Sequence, residues 1–345
     1  MDIDLLFQRA RIIRNTRAFF DKENYLELDT PLLSPDLIPE SCLEVFKTDY
    51  ISPANSAKNN NKELYLVPSP EIWMKKIIAE KRINIYQIGK CFRNCESIGR
   101  THNPEFTMLE YYTMNADYTD SLLVTEALFR ALLSDSTLVQ FQSEKELEEL
   151  SPPFLRLSMD EAFTQFAGFS LITAIENHTL KEHAAMLGIE ARPETSDADL
   201  YNLIFIHCVE PNLPKNKPLA LLDYPAIVPC LAQLNEGSKK SALTRQRWEL
   251  YMRGLEIANC YSEETNAEYI KNYFIEEGAL KNKCAEIKHR IDYDYPKIFL
   301  SRKEGGGEIM FPRCSGVALG MDRLIMALTG RKTIDAVLPC NQFSI

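Results

Sequence analysis

FRNCESIGRTHNPEFTMLEYY, residues 92–112, packs an arginine, a polar loop with a histidine and a proline, and then a glutamate among aromatics into one short span. Alternate side chains of a strand share a face. Phe106, Met108, Glu110 and Tyr112 therefore point one way, and Thr107, Leu109 and Tyr111 the other. A carboxylate on an aromatic face is costly to bury unless a cation or a hydrogen-bond donor meets it. Arg93, at the end of the preceding arm, stands close to the same place. A buried arginine–glutamate pair across a hairpin and a ligand site both satisfy that pattern.

Working outward, Ile83–Phe92 and Phe106–Met114 read as the two arms of that hairpin, joined by a long polar loop. On the N-terminal side, residues 2–22 have helical spacing in Leu6, Ala10, Ile13 and Phe20, with Ile12 and Phe19 beside them. A short strand, Tyr25–Leu28, follows, and residues 52–62 read as an exposed loop. A helix is predicted from about Pro70 to Lys81, with Ser69 as cap and Pro70 in first position. On the C-terminal side, Tyr118–Leu133 reads as an amphipathic helix, and Ser158 with Glu161 makes a capping box. Further helices are predicted near 177–187, 197–208, 264–277 and Met321–Leu328. Strands are predicted near Leu219–Asp223 and Leu231–Leu234, and Trp248–Ser262 reads as one longer extended stretch. Residues 303–307 read as a flexible loop. Hairpins mixed with helices, without regular βαβ alternation, predict an α+β fold on a mainly antiparallel sheet flanked by helices.

With 345 residues and 45% hydrophobic content, the chain can bury a full core, here read as one domain over 1–345. No run approaches eighteen apolar residues, so no membrane span is expected. The first twenty residues read as an amphipathic helix and not as a signal peptide. Nine cysteines without a paired CxxC motif argue against a zinc site and for reduced thiols in a cytoplasmic protein. A net charge of −10 with scattered lysines and arginines disfavours a broad nucleic-acid surface.

Three further segments carry candidate chemistry. In SGVALGMDRLIMAL, residues 315–328, Gly316, Ala318 and Gly320 alternate and leave room beside the backbone. A helix then starts with Arg323 in its first turn, a good place for an anion. In WELYMRGLEIANCYSEE, residues 248–264, Asn259, Tyr261 and Glu263 share a face that would seat an ammonium group. Glu249 and Glu256 are candidate ligands for Mg²⁺, provided a kink or bulge near Gly254 brings them to one side. In LVPSPEIWMKK, residues 66–76, Glu71 lies in a first helical turn, where the dipole favours an acid anyway.

Together these segments resemble the catalytic domain of class II aminoacyl-tRNA synthetases of the lysyl type. The first helix and the strand ending at Pro31 resemble the dimer-forming first motif, residues 92–112 the second, and GVALGMDRL the third. The match is closer to the elongation factor P–(R)-β-lysine ligase family. The chain starts almost at the first motif, leaving no room for an N-terminal OB-fold that reads an anticodon. Ala318 stands where lysyl-tRNA synthetases usually have glycine, and 207–225 resembles the ligase family's central segment.

The resemblance implies ATP and Mg²⁺ as cofactors, lysine or β-lysine as substrate, elongation factor P as acceptor, and a homodimer. It implies that Arg93 and Arg323 are catalytic, Arg93 on the α-phosphate and Arg323 over one adenine face, with Phe106 on the other. Asn94, Glu96, His102, Asn103, Glu256, Ile257 and Gly320 complete the nucleotide set. The loop after Arg93 is one residue longer than in the family, so either Glu96 or Cys95 holds the acid position of the second motif. Ser69, Pro70, Glu71, Glu110, Tyr112, Asn259, Glu263 and Ala318 are implied for the amino acid, and Glu249 with Glu256 for the metal. The rival readings are a shortened ligase acting on tRNA or a small acceptor, and a non-catalytic regulatory paralogue. Several carboxylates suit a substrate with two ammonium groups, since a neutral guest would leave them unanswered.

Overall fold

A computed structural model describes residues 2–51, 62–95, 98–140, 142–236, 243–304 and 307–340. Along the chain come α1 (Ile3–Lys22), β1 (Leu26–Glu27), β2 (Leu33–Ser34), β3 (Lys47–Tyr50), β4 (Lys62–Leu66), α2 (Glu71–Lys81), β5 (Ile85–Phe92) and β6 (Glu105–Met114). Then follow α3 (Tyr118–Leu133), α4 (Ser136–Val139), α5 (Glu144–Leu150), β7 (Leu155–Ser158), α6 (Met159–Phe166), α7 (Leu171–Glu176), α8 (Leu180–Met186), α9 (Asp197–Ile204), β8 (Leu219–Pro225), β9 (Thr244–Met252) and β10 (Leu255–Ser262). The chain continues with α10 (Ala267–Cys284), β11 (Arg302–Glu304), β12 (Gly307–Ile309), β13 (Cys314–Gly320), α11 (Met321–Thr329) and α12 (Ile334–Val337). These elements fall into two units, Met1–Ala116 with Glu264–Ile345, and Asp117–Glu263.

In the first unit β5 pairs in parallel with β1 and antiparallel with β6, and β6 pairs antiparallel with β13. Phe20 of α1 is fully buried on this sheet, stacked on Tyr86 of β5 at 4.8 Å and tilted against Tyr111 of β6 at 4.9 Å. The Asp2 carboxylate caps α1 by accepting from the Asp4 and Leu5 N–H groups. In the second unit β9 lies between β10 and β8, antiparallel to both, and β7 joins β8 in parallel. Its core joins Met159 and Phe163 of α6 and Leu200 and Tyr201 of α9 to Leu219, Leu221 and Tyr251 of the strands. Both units combine helices with mainly antiparallel strands, as the α+β reading expects.

Several expectations need correction. The buried stripe of α1 is Leu5, Arg9, Ile12, Thr16, Phe19 and Phe20, while Ala10 is exposed. The inner face is rotated by one residue because two of its members, Arg9 and Thr16, are polar and find buried partners. Helix α2 begins at Glu71, with Pro70 as N-cap residue and no side-chain cap from Ser69. The extended stretch 248–262 is a hairpin that reverses at Arg253 and Gly254, both in the left-handed region. Residues 231–234 make isolated bridges at Ala232 and Leu234 in place of a strand. Helix α10 begins at Ala267 and runs to Cys284, longer than 264–277 suggested. Of the segment 52–62, residues 52–61 lie outside the described residues; Lys62 already belongs to β4. Around 303–307, β11 and β12 form a short antiparallel pair, and 305–306 lie outside the described residues. The capping box of Ser158 and Glu161 forms as read.

Phe20→Ala is expected to cost about 3–5 kcal/mol, because it removes a fully buried ring and leaves a cavity under the first sheet. Urea unfolding checks this; a shift of under about 1 kcal/mol would show that the sheet closes over the gap.

Candidate functional site

The first unit gathers most of the residues in question on β6, β13 and the segments flanking them. The β5–β6 register sets Gln87 opposite Glu110 and Cys91 opposite Phe106. The β6–β13 register sets Ala318 opposite Glu110, Gly316 opposite Tyr112, and Gly320 opposite Met108. Small residues thus flank the face that carries Phe106, Glu110 and Tyr112. Ala318 and Gly320 are half-buried, whereas Val317 and Leu319 on the other face are buried.

Glu110 is 3% exposed and accepts a hydrogen bond from the Tyr112 hydroxyl at 2.7 Å. The Lys75 ammonium stands 6.0 Å from the centre of the Tyr112 ring and 2.6 Å from Glu71 Oε1. Lys75 is itself 2% exposed. Glu71 precedes it by one helical turn, the favourable order for such a pair. A chain of contacts therefore runs Glu71, Lys75, Tyr112, Glu110, while Ser69 and Pro70 lie at the start of the helix that bears it.

At the other end of β6, the Arg93 guanidinium lies 5.2 Å from the centre of the Phe106 ring. The Arg93 N–H donates to the Pro104 carbonyl at 2.9 Å, which closes the base of the 93–105 loop. Arg93 Nε is buried without a hydrogen-bond partner among the described residues. Arg323, from the first turn of α11, donates from Nε to the Thr101 carbonyl at 3.2 Å. His102 Nδ1 is 3.0 Å from the Thr101 hydroxyl, and Asn103 donates to the Glu105 carbonyl. Asn94 donates from its backbone to the Glu44 carbonyl and from Nδ2 to the Val45 carbonyl. The Arg323 side chain is thus tied to the loop in front of Phe106, and the Arg93 guanidinium lies over the Phe106 ring at the loop's base. Glu96 lies outside the described residues; Cys95 is exposed and adopts positive φ.

In the second unit Glu249 of β9 pairs with Asn259 of β10, and Tyr251 pairs with Glu256. A bulge between Glu256 and Ala258 makes this register possible. The bulge sits at Ile257 and sets Asn259 opposite Glu249, whereas the reversal at Arg253 and Gly254 sets Glu256 opposite Tyr251, two residues from Glu249 on β9, so that Glu249 and Glu256 share one face, as the metal reading requires. Glu249 accepts from Arg247 Nη2 at 2.6 Å and from the Tyr251 hydroxyl at 3.0 Å. Burial, and then the charge of Glu249, push the Tyr251 phenol far above its ordinary range, so it stays a donor. Each oxygen of Glu249 keeps a further lone pair. Two carboxylates on one face fit Mg²⁺, which is usually held by one or two carboxylates with substrate phosphates.

The ammonium seat read from Asn259 and Tyr261 meets a cation of the chain's own. Arg247 lies over the Tyr261 and Tyr224 rings at 5.4 and 4.3 Å and donates to Asn259 Oδ1 at 3.3 Å. Glu263 is 3% exposed and bridges to Ala232 just past the end of β10.

Sequence reading missed Lys75, Arg247 and Glu40. The four-residue spacing to Glu71 was a usable signal for Lys75, and alternation with Glu249 for Arg247. Nothing local marks Glu40. It sits on a segment stitched into the first unit: Ser41 N–H donates to Glu277, Lys281 to the Leu43 carbonyl, and Asn94 N–H to the Glu44 carbonyl. Part of Glu40 stays accessible, yet its carboxyl is enclosed. Burial, and then Glu71, raise it to about 7, with Glu277 acting in the same sense and Arg93 and Lys281 opposing.

The profile of the class II tRNA synthetases (D, K and N) matches residues 3–342. The elongation factor P–(R)-β-lysine ligase of Vibrio cholerae serotype O1 is 34% identical over 337 residues, 97% of this chain and 94% of that protein. The ligase of the same name from Proteus mirabilis (strain HI4320) is 33% identical over 335 residues, 96% and 93% of the two chains. That from Histophilus somni (strain 2336) is 32% identical over 339 residues, 98% and 95%.

The raised carboxyl of Glu40 carries a sign. The folded state holds this proton more tightly than the unfolded chain, so the contribution is full below about 4.5 and is lost as pH rises through about 7. Glu40→Gln is expected to flatten the fall in stability across that window, measured by urea unfolding in a pH series. Parallel curves for the two proteins would show the carboxyl to be solvated.

Proposed function

Because the chain belongs to the class II synthetase-like family of elongation factor P–(R)-β-lysine ligases, we propose that it activates a lysine-type amino acid, (R)-β-lysine above all, as an adenylate and transfers it to a lysine side chain of elongation factor P. In the first step the substrate carboxylate attacks the α-phosphorus of ATP, an O–P bond forms, and pyrophosphate leaves. In the second, the neutral amine of the acceptor attacks the activated carbonyl, a C–N bond forms, and AMP leaves with the electron pair of the broken C–O bond. Neither step needs a side-chain nucleophile, so catalysis reduces to positioning and charge stabilisation.

The observation that carries this reading is the Arg93 guanidinium over the Phe106 ring at the base of the 93–105 loop, together with the Arg323 side chain bound to the Thr101 carbonyl of that same loop. Arg93 then meets the α-phosphate, where charge builds, and Phe106 and Arg323 take the two faces of adenine. Asn94, His102 and Asn103 shape the loop, and Gly320 leaves room at the helix start. The chain of Glu71, Lys75, Tyr112 and Glu110 supports a site for an ammonium-bearing guest, with Ser69, Pro70 and Ala318 as its lining. In the second unit Asn259 and Glu263 keep the amino-acid role and Ile257 the nucleotide role that the family implies. Glu249 and Glu256 would hold Mg²⁺, which when bound offsets charge on the triphosphate.

Among the described residues no helix is long and apolar enough to cross a membrane. A cytoplasmic homodimer acting on a protein acceptor completes the proposal.

Arg93→Ala is expected to lower ATP–pyrophosphate exchange by on the order of 10²–10³-fold; near-normal exchange would remove Arg93 from the chemistry. Glu263→Gln is expected to raise KM for the amino acid more than for ATP, and equal rises would mark it as structural. Mass spectrometry of elongation factor P incubated with the protein, ATP and each lysine isomer tests the whole proposal. A mass gain of one residue on an acceptor lysine is expected. An unmodified acceptor with every isomer would defeat the proposal.

A further inference from the structure

Arg9 lies on the buried stripe of α1 and is 8% exposed. Its Nη1 donates to the Val337 carbonyl at 3.2 Å and stands 2.6 Å from Asp322 Oδ1, and its Nη2 donates to Thr107 Oγ1 at 3.1 Å. Asp322, in the first turn of α11 and 2% exposed, accepts from the Thr107 N–H with Oδ2 at 2.7 Å. The contacts close a ring from Arg9 to Asp322, from Asp322 to Thr107, and from Thr107 back to Arg9. Thr107 follows Phe106 on β6, and Asp322 precedes Arg323 on α11.

We propose that Arg9, Thr107 and Asp322 are positioning residues for the nucleotide site, fixing β6 against α11 and with them the spacing of Phe106 and Arg323. The inference rests on the reading of those two residues as the groups that face adenine. Thr107 points to the opposite side of β6 from Phe106, so the lock acts from behind the ligand face. Taking a carboxylate and a guanidinium out of water is costly, and an apolar pair of similar volume would often serve stability as well. What an apolar pair cannot supply is direction. The Asp322 carboxylate holds a strand N–H and a guanidinium together, and the planar fork of Arg9 reaches two further oxygens on separate elements. Helix α1, read from sequence only as the first-motif helix, thereby becomes part of what shapes the nucleotide site.

The test measures pyrophosphate exchange against ATP and against a lysine isomer, with thermal unfolding, for Arg9→Met, Thr107→Val and the double variant Arg9→Met/Asp322→Asn. KM for ATP is expected to rise about tenfold in Arg9→Met and a few-fold in Thr107→Val, while KM for the amino acid stays within about twofold. The double variant removes the uncompensated buried carboxylate, so its melting temperature is expected to recover while KM for ATP stays high. A KM for ATP that recovers along with the melting temperature, or KM values that rise together for both substrates, would overturn the proposal. Thr107→Val keeps the side-chain shape and exchanges only the hydroxyl for a methyl group; an unchanged KM for ATP there overturns the proposal even if Arg9→Met fails to fold. Arg323→Ala is run beside them. Lost exchange in that variant, with a normal KM for ATP in the others, discards the positioning role and leaves the functional reading standing. Full exchange in Arg323→Ala discards the reading and the positioning role together.

Discussion

The contact between Lys75 and Glu71, 2.6 Å long on a lysine almost wholly removed from water, fixes one wall of the candidate site before any ligand arrives. A lone buried ammonium is prohibitive, so this one needs its carboxylate. It also approaches the Tyr112 ring, and Tyr112 donates to Glu110. Helix α2 and strand β6 are therefore held together by a polar chain. The same side chains that a diamino acid would need are the ones that make the wall rigid. A wall set in advance needs little reorganisation when a cation reaches it.

The end proposed for the phosphates follows the same logic with the signs reversed. Arg323 donates to the Thr101 carbonyl of the 93–105 loop, and the Arg93 guanidinium lies over the Phe106 ring at the loop's base. Arg93 Nε remains buried without a hydrogen-bond partner among the described residues. A guanidinium with spare donors beside an aromatic ring is suited to a phosphate next to a base. Behind this face, the ring of Arg9, Thr107 and Asp322 gives β6 and α11 a fixed relation. Charged groups at both ends thus serve geometry first.

Much of this was legible in the chain itself. Alternation placed Phe106, Glu110 and Tyr112 on one face, and the small residues at 316, 318 and 320 announced the strand beside it. The capping box at Ser158 and Glu161 is local chemistry and formed as read. What stayed hidden depended on partners distant in sequence. Apolar spacing placed the inner face of α1 on Leu6, Ala10 and Ile13, because Arg9 does not look like a core residue until Asp322 and Thr107 are in view, and Thr16 is satisfied within its own helix by the Ile12 carbonyl. The hairpin at Arg253–Gly254 and the bulge at Ile257 hid behind a continuous β-forming run. Glu40 carries no local signal, since its surroundings come from α2, α10 and the end of β5.

Isothermal titration of lysine and of norleucine into the protein, each in the presence of a non-hydrolysable ATP analogue, is the most direct measurement. Norleucine has the same shape and lacks only the terminal ammonium. If carboxylates such as Glu71 and Glu110 receive that group, norleucine is expected to bind at least about 10²-fold more weakly than lysine. Equal affinities would contradict an acidic guest site.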